Sequence, residues 1–447
     1  MPSSDSALER VLARLLRPFA KVVPGEAITA VVMTVTVFLV LTAYYFLKTA
    51  REPLILLHGG AEVKQYAAAG QALLLVGVVR LYSAAARRVG RLRLLAGVYL
   101  FFVSNLLVFA VLARAEVAFL GVAFYLWVGV FNYTAIAQFW SLAADIYTPE
   151  QGKRLFAILG IGSSAGAVAG ARIAKELVSL GPQGLMLGAA LILIVAVGLL
   201  AWVERRSGSE RKTTDEPHHD EPLVHEKPFR LLVRDRYLAL LAGLTLLLSW
   251  VNTTGEYLLD RTLLAAVHDG HANGMSPAAF IGAFKADYFA WINLLGVLMQ
   301  LFAVSRILSR IGVRNALFFL PVVSFISYGA MLLMPVLALI RLGKIAENSI
   351  DYSLQNTARQ ALFLVTSRVE KYVGKAVVDT LLVRVGDVLA ACVIWAGSRA
   401  NLPISAFAGI NLVLIAGWLA VVLAMGKEHR RRSEEGEAKI ALEPVLT

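Results

Sequence analysis

The sequence predicts an all-α polytopic membrane protein, with twelve transmembrane helices in two pseudo-symmetric six-helix bundles. Three observations carry this. The 447 residues are 58% hydrophobic and only 17% charged, with mean hydropathy +0.68, whereas soluble domains sit near 45–50% apolar and about 25% charged. The apolar runs reach about twenty residues, the length that crosses a hydrocarbon core of about 30 Å. They also lack the alternating ten-residue pattern of a membrane β-barrel. Finally, one basic loop pattern occurs twice, close to half the chain apart.

Taken in order, the chain opens with Arg10, Arg14, Arg17 and Lys21 on one helical face, opposite Val11, Leu15, Phe19 and Val22. This predicts a short amphipathic helix on the membrane surface, broken by Pro18 or Pro24, and no cleavable signal peptide. Apolar spans follow near 27–48, 66–84, 94–113, 117–143, 155–177, 184–203, 237–260, 286–305, 314–336, 338–365, 375–397 and 406–425. Basic residues concentrate in alternate loops: Arg87, Arg88, Arg91 and Arg93; Lys153 and Arg154; Arg306, Arg310 and Arg314; then Lys427 and Arg430 to Arg432. By the positive-inside bias both termini are expected in the cytoplasm. In this setting the net charge of +12 is a topology signal, and nucleic acid is not expected as a partner. The single cysteine, Cys392, excludes an intramolecular disulfide and a multi-cysteine metal site.

A polar, proline-containing stretch separates the halves. The expected division is a 1–25 amphipathic segment, a 26–204 six-helix bundle, a 205–235 linker, a 236–426 six-helix bundle and a 427–447 tail. His218, His219 and His225 belong to the linker, where a mixed-charge tether accounts for them. The loop Ser83-Ala-Ala-Ala-Arg87-Arg88-Val-Gly90-Arg91 returns as Ser305-Arg-Ile-Leu-Ser309-Arg310-Ile-Gly312-Val-Arg314. Parallel six-span repeats are the architecture of major facilitator transporters. The repeated turn resembles that superfamily's loop motif, Gly-x-x-x-Asp-Arg-x-Gly-Arg, with Arg87 and Ser309 where the Asp is expected. Arg88, Gly90, Arg91, Arg310, Gly312 and Arg314 are therefore the expected gate residues.

Within the spans, charges stand out because each is costly in hydrocarbon. Tyr44, Lys48 and Arg51 share one face at the end of the first span, with Glu52 next. Lys48 either snorkels to the headgroups or offers a cationic position to an anionic solute. Asn132, Gln138 and Trp140 lie on the fourth span, and Gly162, Gly166 and Gly170 form a small-residue ridge on the fifth, suited to close helix packing. Asn252, Glu256 and Asp260 follow one face of the seventh. Asp260 stands at the pseudo-symmetric counterpart of Lys48, so the two are expected either to pair or to sit separately at the outer interface. The tenth span carries the stripe Lys344, Glu347, Asp351 and Gln355, with Arg359 close by. The eleventh has Lys375 four residues before Asp379, then Arg384 and Asp387. Internal ion pairing explains the last two groups as well as coupling does.

Lys48-x-x-Arg51-Glu52-x-Leu54 with Gly60-Ala-Glu62-Val63 resembles a signature of the ATP:ADP antiporters, the nucleotide transporters of plastids and obligate intracellular bacteria. Ala144-Asp145-Ile-Tyr-Thr148, Lys153-Arg154-Leu-Phe, Leu159-Gly-Ile-Gly162, Asp351-Tyr-Ser-Leu and Gly374-Lys375-Ala-Val-Val-Asp379 extend the likeness over nearly all twelve helices. The resemblance implies a major-facilitator-like nucleotide exchanger working by alternating access. Carried over by position, the family's first-span Lys falls on Arg51, its seventh-span Glu on Glu256 and a tenth-span basic residue on Arg359. Its fourth-span Glu falls near Gly129, where this chain has no carboxylate, so a divergent bacterial branch with another substrate is implied.

The expected function is secondary transport of an organic anion, with a nucleotide or related phosphorylated metabolite as the candidate. Substrate binding is assigned to Lys48, Arg51, Glu256, Asp260, Asp351, Arg359, Asn132 and Gln138. Coupling or ion pairing is assigned to Glu52, Lys344, Glu347, Lys375 and Asp379. Two alternatives stand beside it: a proton-coupled exporter of a lipid or drug-like solute, using Glu256 or Asp351, and a non-transporting scaffold or sensor. No nucleophile–base pairing or metal spacing points to an enzyme, and neither metal nor cofactor is expected. The expected setting is the bacterial inner membrane, as a monomer among lipids.

Overall fold

The computed structural model describes residues 9–14, 22–23, 25–86, 91–115, 117, 119–210, 235–272, 274–363, 366 and 377–442. Described residues form helices and no strands. They are α1 (Ala27–Ala86), α2 (Arg91–Arg114), α3 (Leu120–Ile146), α4 (Pro149–Glu176), α5 (Gly181–Glu210), α6 (Arg236–His268) and α7 (Pro277–Met299). Then come α8 (Ser305–Ala316), α9 (Phe319–Leu333), α10 (Leu337–Ile350), α11 (Asn356–Leu362), α12 (Val383–Arg399) and α13 (Ile404–Leu442). Among the described residues the expected spans lie largely on helix, with Met334 to Val336 of the ninth outside it.

The 60 residues of α1 would measure about 90 Å if straight, three times the hydrocarbon thickness. Gly60 breaks the run with φ +78° and ψ 178°, a conformation open almost only to glycine. The first two spans are thus two arms of α1 joined at one residue. Gly312 does the same in α8, with φ +76° and ψ 166°. The glycine of the repeated basic turn therefore has a backbone reason. Arg88 and Gly90 of the first copy lie outside the described residues, as does Lys375. Arg91 opens α2.

Two compact units emerge. The first comprises Met1–Gly59, Gly70–His218 and Ala272–Asn293; the second comprises Gly60–Ala69, His219–His271 and Leu294–Thr447. In the first unit the glycine ridge of α4 lies on α1. A Cβ added at Gly162 would come 2.8 Å from Thr34 O, at Gly166 2.3 Å from Phe38 O, and at Gly170 2.7 Å from Thr42 Cα. The register repeats every four residues on both helices, and Thr42 Oγ1 donates to Gly166 O at 3.3 Å. The motif beginning Thr148-Pro149 is a helix start. Thr148 accepts from Gln151 N at 3.3 Å, and the Gln151 side chain accepts from Thr148 N at 2.9 Å, a reciprocal capping box with proline at the first helical position.

At the head of α1, buried Glu9 accepts hydrogen bonds from Gly25 N, Ala27 N and Ile28 N at 3.1, 3.0 and 3.4 Å. It thereby satisfies amides that α1 itself cannot. Residues 9–14 of the expected amphipathic segment are helical. The second unit is held by polar contacts among apolar helices. Asp387 of α12 accepts from Ser249 and Thr253 of α6, each at 2.8 Å, and pairs with Arg384 at 3.0 Å. Two boundaries differ from expectation: α5 runs on to Glu210, and α13 continues to Leu442. Both helices carry on into polar sequence instead of stopping with the apolar run.

Candidate functional site

In the first unit, the end of the first span gathers charge and aromatic rings. Lys48, half-buried, holds its Nζ 4.1 Å from the centroid of Phe289 and 5.2 Å from that of Tyr45. Tyr45 Oη donates to Asn293 Oδ1 at 2.9 Å. Tyr44 and Tyr45 meet edge to face with centroids 5.2 Å apart. Lys48 is thus embedded among rings whose negative faces attract its ammonium.

Arg51 is more specific. Its guanidinium lies 4.5 Å over the Tyr125 ring of α3, and its Nε donates to Glu52 Oε1 at 3.1 Å. One face and one nitrogen are committed, which fixes the plane of the fork. Among the described residues, neither Nη1 nor Nη2 has a hydrogen-bonded acceptor. Those two nitrogens carry four N–H donors in the geometry that matches a carboxylate or phosphate edge. Arg51 keeps 13% of its side-chain surface accessible.

Glu52 is fully buried and shared, with its other oxygen 3.9 Å from Lys285 Nζ. Lys285 itself is wholly enclosed, 5.3 Å from the Tyr288 ring. Two residues on, Asp287 binds Lys175 at 2.6 Å and Arg172 at 3.2 Å, which ties α7 to α4. Sequence reasoning missed Lys285 because the eighth span was expected to begin at 286, while α7 begins at Pro277. The charge pattern Lys285-Ala-Asp287, straddling the start of the expected span, was the available signal.

On the same face of α3, one turn from Tyr125, stands Gly129. A Cβ there would come 2.2 Å from Gln71 Cδ. The space beside Gly129 is filled by the Gln71 side chain, delivered from the second span. The other α3 candidates separate. Asn132 is half-buried, whereas Gln138 is buried with neither amide atom hydrogen-bonded among the described residues. Trp140 packs edge to face against Phe139 and Phe156, a packing aromatic.

The second unit gathers the remaining candidates into two groups. Asp260, fully buried, takes Lys64 as an ion-pair partner at 2.8 Å. Beside them Tyr257 Oη donates to Glu62 Oε1 at 2.9 Å. The expected counterpart of Asp260 was Lys48; the cation the structure sets against it comes from just beyond the Gly60 turn.

The second group is the α10 stripe. Lys344 Nζ donates to Asn252 Oδ1 at 2.7 Å and to Glu347 Oε2 at 3.0 Å. Asn348 Nδ2 donates to Glu256 Oε1 at 2.9 Å. Asp351 opens a π-helical turn, Asp351–Gln355, and Arg359 follows on α11. The Glu256, Lys344, Glu347 and Asp351 assignments therefore converge on one cluster. Asp379 sits in another π-helical stretch, Val377–Leu382. Arg310 and Arg314 flank the Gly312 turn outside the cluster.

The fold and these clusters define a membrane transport protein. The profile described as Major Facilitator Superfamily matches residues 23–352, about three quarters of the chain. The chain belongs to that superfamily of secondary transporters. Among curated proteins none is detectably similar. Solved structures share the fold at low identity. The nucleoside transporter NupG is 11% identical over 89% of this chain and 98% of its own, with TM-score 0.65. A bacterial homologue of the iron transporter ferroportin, inward-facing, is 14% identical over 89% and 98%, with TM-score 0.63. A bacterial homologue of the lysosomal transporter Spinster is 13% identical over 92% and 97%, with TM-score 0.56.

Proposed function

We propose that this transporter moves an organic anion by alternating access between six-helix bundles at 26–204 and 236–426, and that Arg51 receives the anionic group. The observation that carries this is the committed face and Nε of Arg51, set against the two terminal nitrogens that no described residue accepts from. Tyr125 and Glu52 orient the fork in advance, so little side-chain entropy remains to be lost on binding. Lys48 and Lys285 add positive potential on either side of Glu52, and Asn132 supplies hydrogen bonding further along α3.

A nucleotide or related phosphorylated metabolite is the substrate we favour. Support comes from the first-span resemblance to the ATP:ADP antiporters and from the suitability of an arginine fork for phosphate. The Gln71 amide beside Gly129 supports a substrate set different from theirs. We place the protein in the bacterial inner membrane as a monomer with both termini cytoplasmic, on the distribution of basic loops.

Uptake of labelled ATP, ADP and AMP into proteoliposomes, with and without internal nucleotide, tests the reading. Exchange should require internal nucleotide and fall by about tenfold to a hundredfold in Arg51→Gln, the range expected for losing a charge-assisted hydrogen-bonded pair. Equal uptake by wild type and Arg51→Gln would overturn the anion assignment.

A further inference from the structure

The last helix is longer than a membrane crossing needs. At 39 residues α13 measures about 58 Å, against a hydrocarbon thickness of about 30 Å. Its far end is fastened to its neighbours in the second unit. Tyr237, wholly buried at the start of α6, is the centre of the joint. Its Oη donates to Leu362 O at 2.6 Å, one of the last carbonyls of α11, which that helix cannot pair internally. The same Oη lies 3.1 Å from His429 Nδ1. The His429 ring stacks on that of Tyr237 with centroids 6.3 Å apart, and the Arg432 guanidinium stands 4.6 Å over the Tyr237 ring. Arg432 also donates to Asp235 Oδ2, while Asp235 Oδ1 caps α6 by accepting from Leu238 N at 3.0 Å. One turn before His429, Gly426 makes room for Arg314 of α8, whose Nε would lie 2.7 Å from a Cβ there.

We propose that the far end of α13 is a latch across the start of α6 and the end of α11, and that protonation of His429 opens it. Tyrosine has one hydroxyl proton and a carbonyl can only accept. The Leu362 bond therefore takes that proton, and His429 donates from Nδ1. The neutral imidazole keeps a bare Nε2 for the proton that acid brings. His429 is half-buried, and burial holds its pKa below the ordinary value. Its charged and titratable neighbours do not favour an imidazolium. On α13 they are the cations Arg430 and Arg432, with Glu428 engaged by Arg431. From α6 they are Tyr237 and Asp235, the latter engaged by Arg432. α8 brings Arg314, and α11 brings the Leu362 carbonyl. Among the described residues both nearby carboxylates are thus already paired. A histidine depressed in the latched form binds its proton less readily there than when released. The latch is intact above the ordinary value of about 6.5 and weakens as pH falls below it toward the lower latched one. The device belongs to the second unit alone and stands apart from the anion at Arg51.

The test reads the position of α13 and uses no substrate. A spin label is attached at Glu434→Cys, an exposed position on α13, in the full chain carrying Cys392→Ser, held in nanodiscs of neutral lipid. Its mobility is followed by electron paramagnetic resonance from pH 8 to pH 5. The ratio of mobile to immobile label should rise about threefold to tenfold, with most of the rise below about pH 6.5. His429→Gln keeps an amide donor but takes no proton, so its label should stay immobile across the range. Tyr237→Phe keeps the ring but gives up both hydroxyl contacts, so its label should be mobile already at pH 8. Should Tyr237→Phe not fold, Arg432→Gln, which loses the Asp235 contact, should raise the mobile fraction at pH 8 instead. A wild-type label indifferent to pH, a pH response that persists in His429→Gln, or a label that stays immobile in the folded contact variant would overturn the proposal.

Discussion

Lys64 Nζ lies 2.8 Å from Asp260 Oδ2, with Lys64 nearly and Asp260 wholly enclosed. Breaking one side of such a pair strands a buried charge, which costs about 3–5 kcal/mol. Asp260→Ala should therefore lower the melting temperature sharply, and Lys64→Asp combined with Asp260→Lys should recover part of the loss. Differential scanning of the two singles and the double reads this. Additive losses in the double would argue against a direct pair.

Helix approach at the glycine ridge is the next prediction. Gly166→Ala forces a methyl to within 2.3 Å of Phe38 O, and overpacking of this kind costs about 1–3 kcal/mol. Gly198 on α5 has open space around its Cβ position, so Gly198→Ala should be neutral or slightly stabilising. Thermal midpoints of the two variants should move in opposite directions or by clearly different amounts.

Asp387 is expected to act as a structural acceptor. Asp387→Ala leaves Ser249, Thr253 and Arg384 without their shared carboxylate, a loss of about 3–5 kcal/mol. Asp387→Asn keeps one acceptor oxygen and should lose less. Residual folded fraction by size-exclusion chromatography after mild heating checks the order.

Acid should release the contact at the head of α1. Burial alone would raise the Glu26 pKa, but hydrogen bonds from Arg154, Gln151 and the Val23 amide outweigh it and hold the value below the ordinary one. A carboxylate depressed on folding binds its proton less readily in the native state. Its contribution is present above the unfolded value of about 4.3 and disappears as pH falls through the lower native one. The stability gap between wild type and Glu26→Gln should close between pH 5 and 3. A gap that persists in acid would contradict this.

Much of the architecture was legible in the sequence because hydrocarbon imposes a length and a composition on every crossing. The glycine ridge could be read too, since its four-residue spacing has few purposes besides close packing. What the sequence could not give was the partner of each charge. Aligning the two repeats sets Lys48 against Asp260, yet Asp260 is met by Lys64, which lies just past the break in α1 at Gly60. Lys285 was hidden by a span boundary drawn at the first unbroken apolar run, although a buried lysine beside Glu52 does not interrupt a helix. The α10 stripe was visible as a polar face, but which of its oxygens go unsatisfied depends on α6 and α9, far away in sequence.

The central claim is that the terminal nitrogens of Arg51 receive an anion. Ligand-induced thermal stabilisation of the purified protein by AMP and by uncharged adenosine, in wild type and Arg51→Gln, tests it most directly. The account predicts stabilisation of wild type by AMP, little by adenosine, and loss of the difference in Arg51→Gln. Equal stabilisation by both ligands, or an AMP effect that survives in Arg51→Gln, would contradict it.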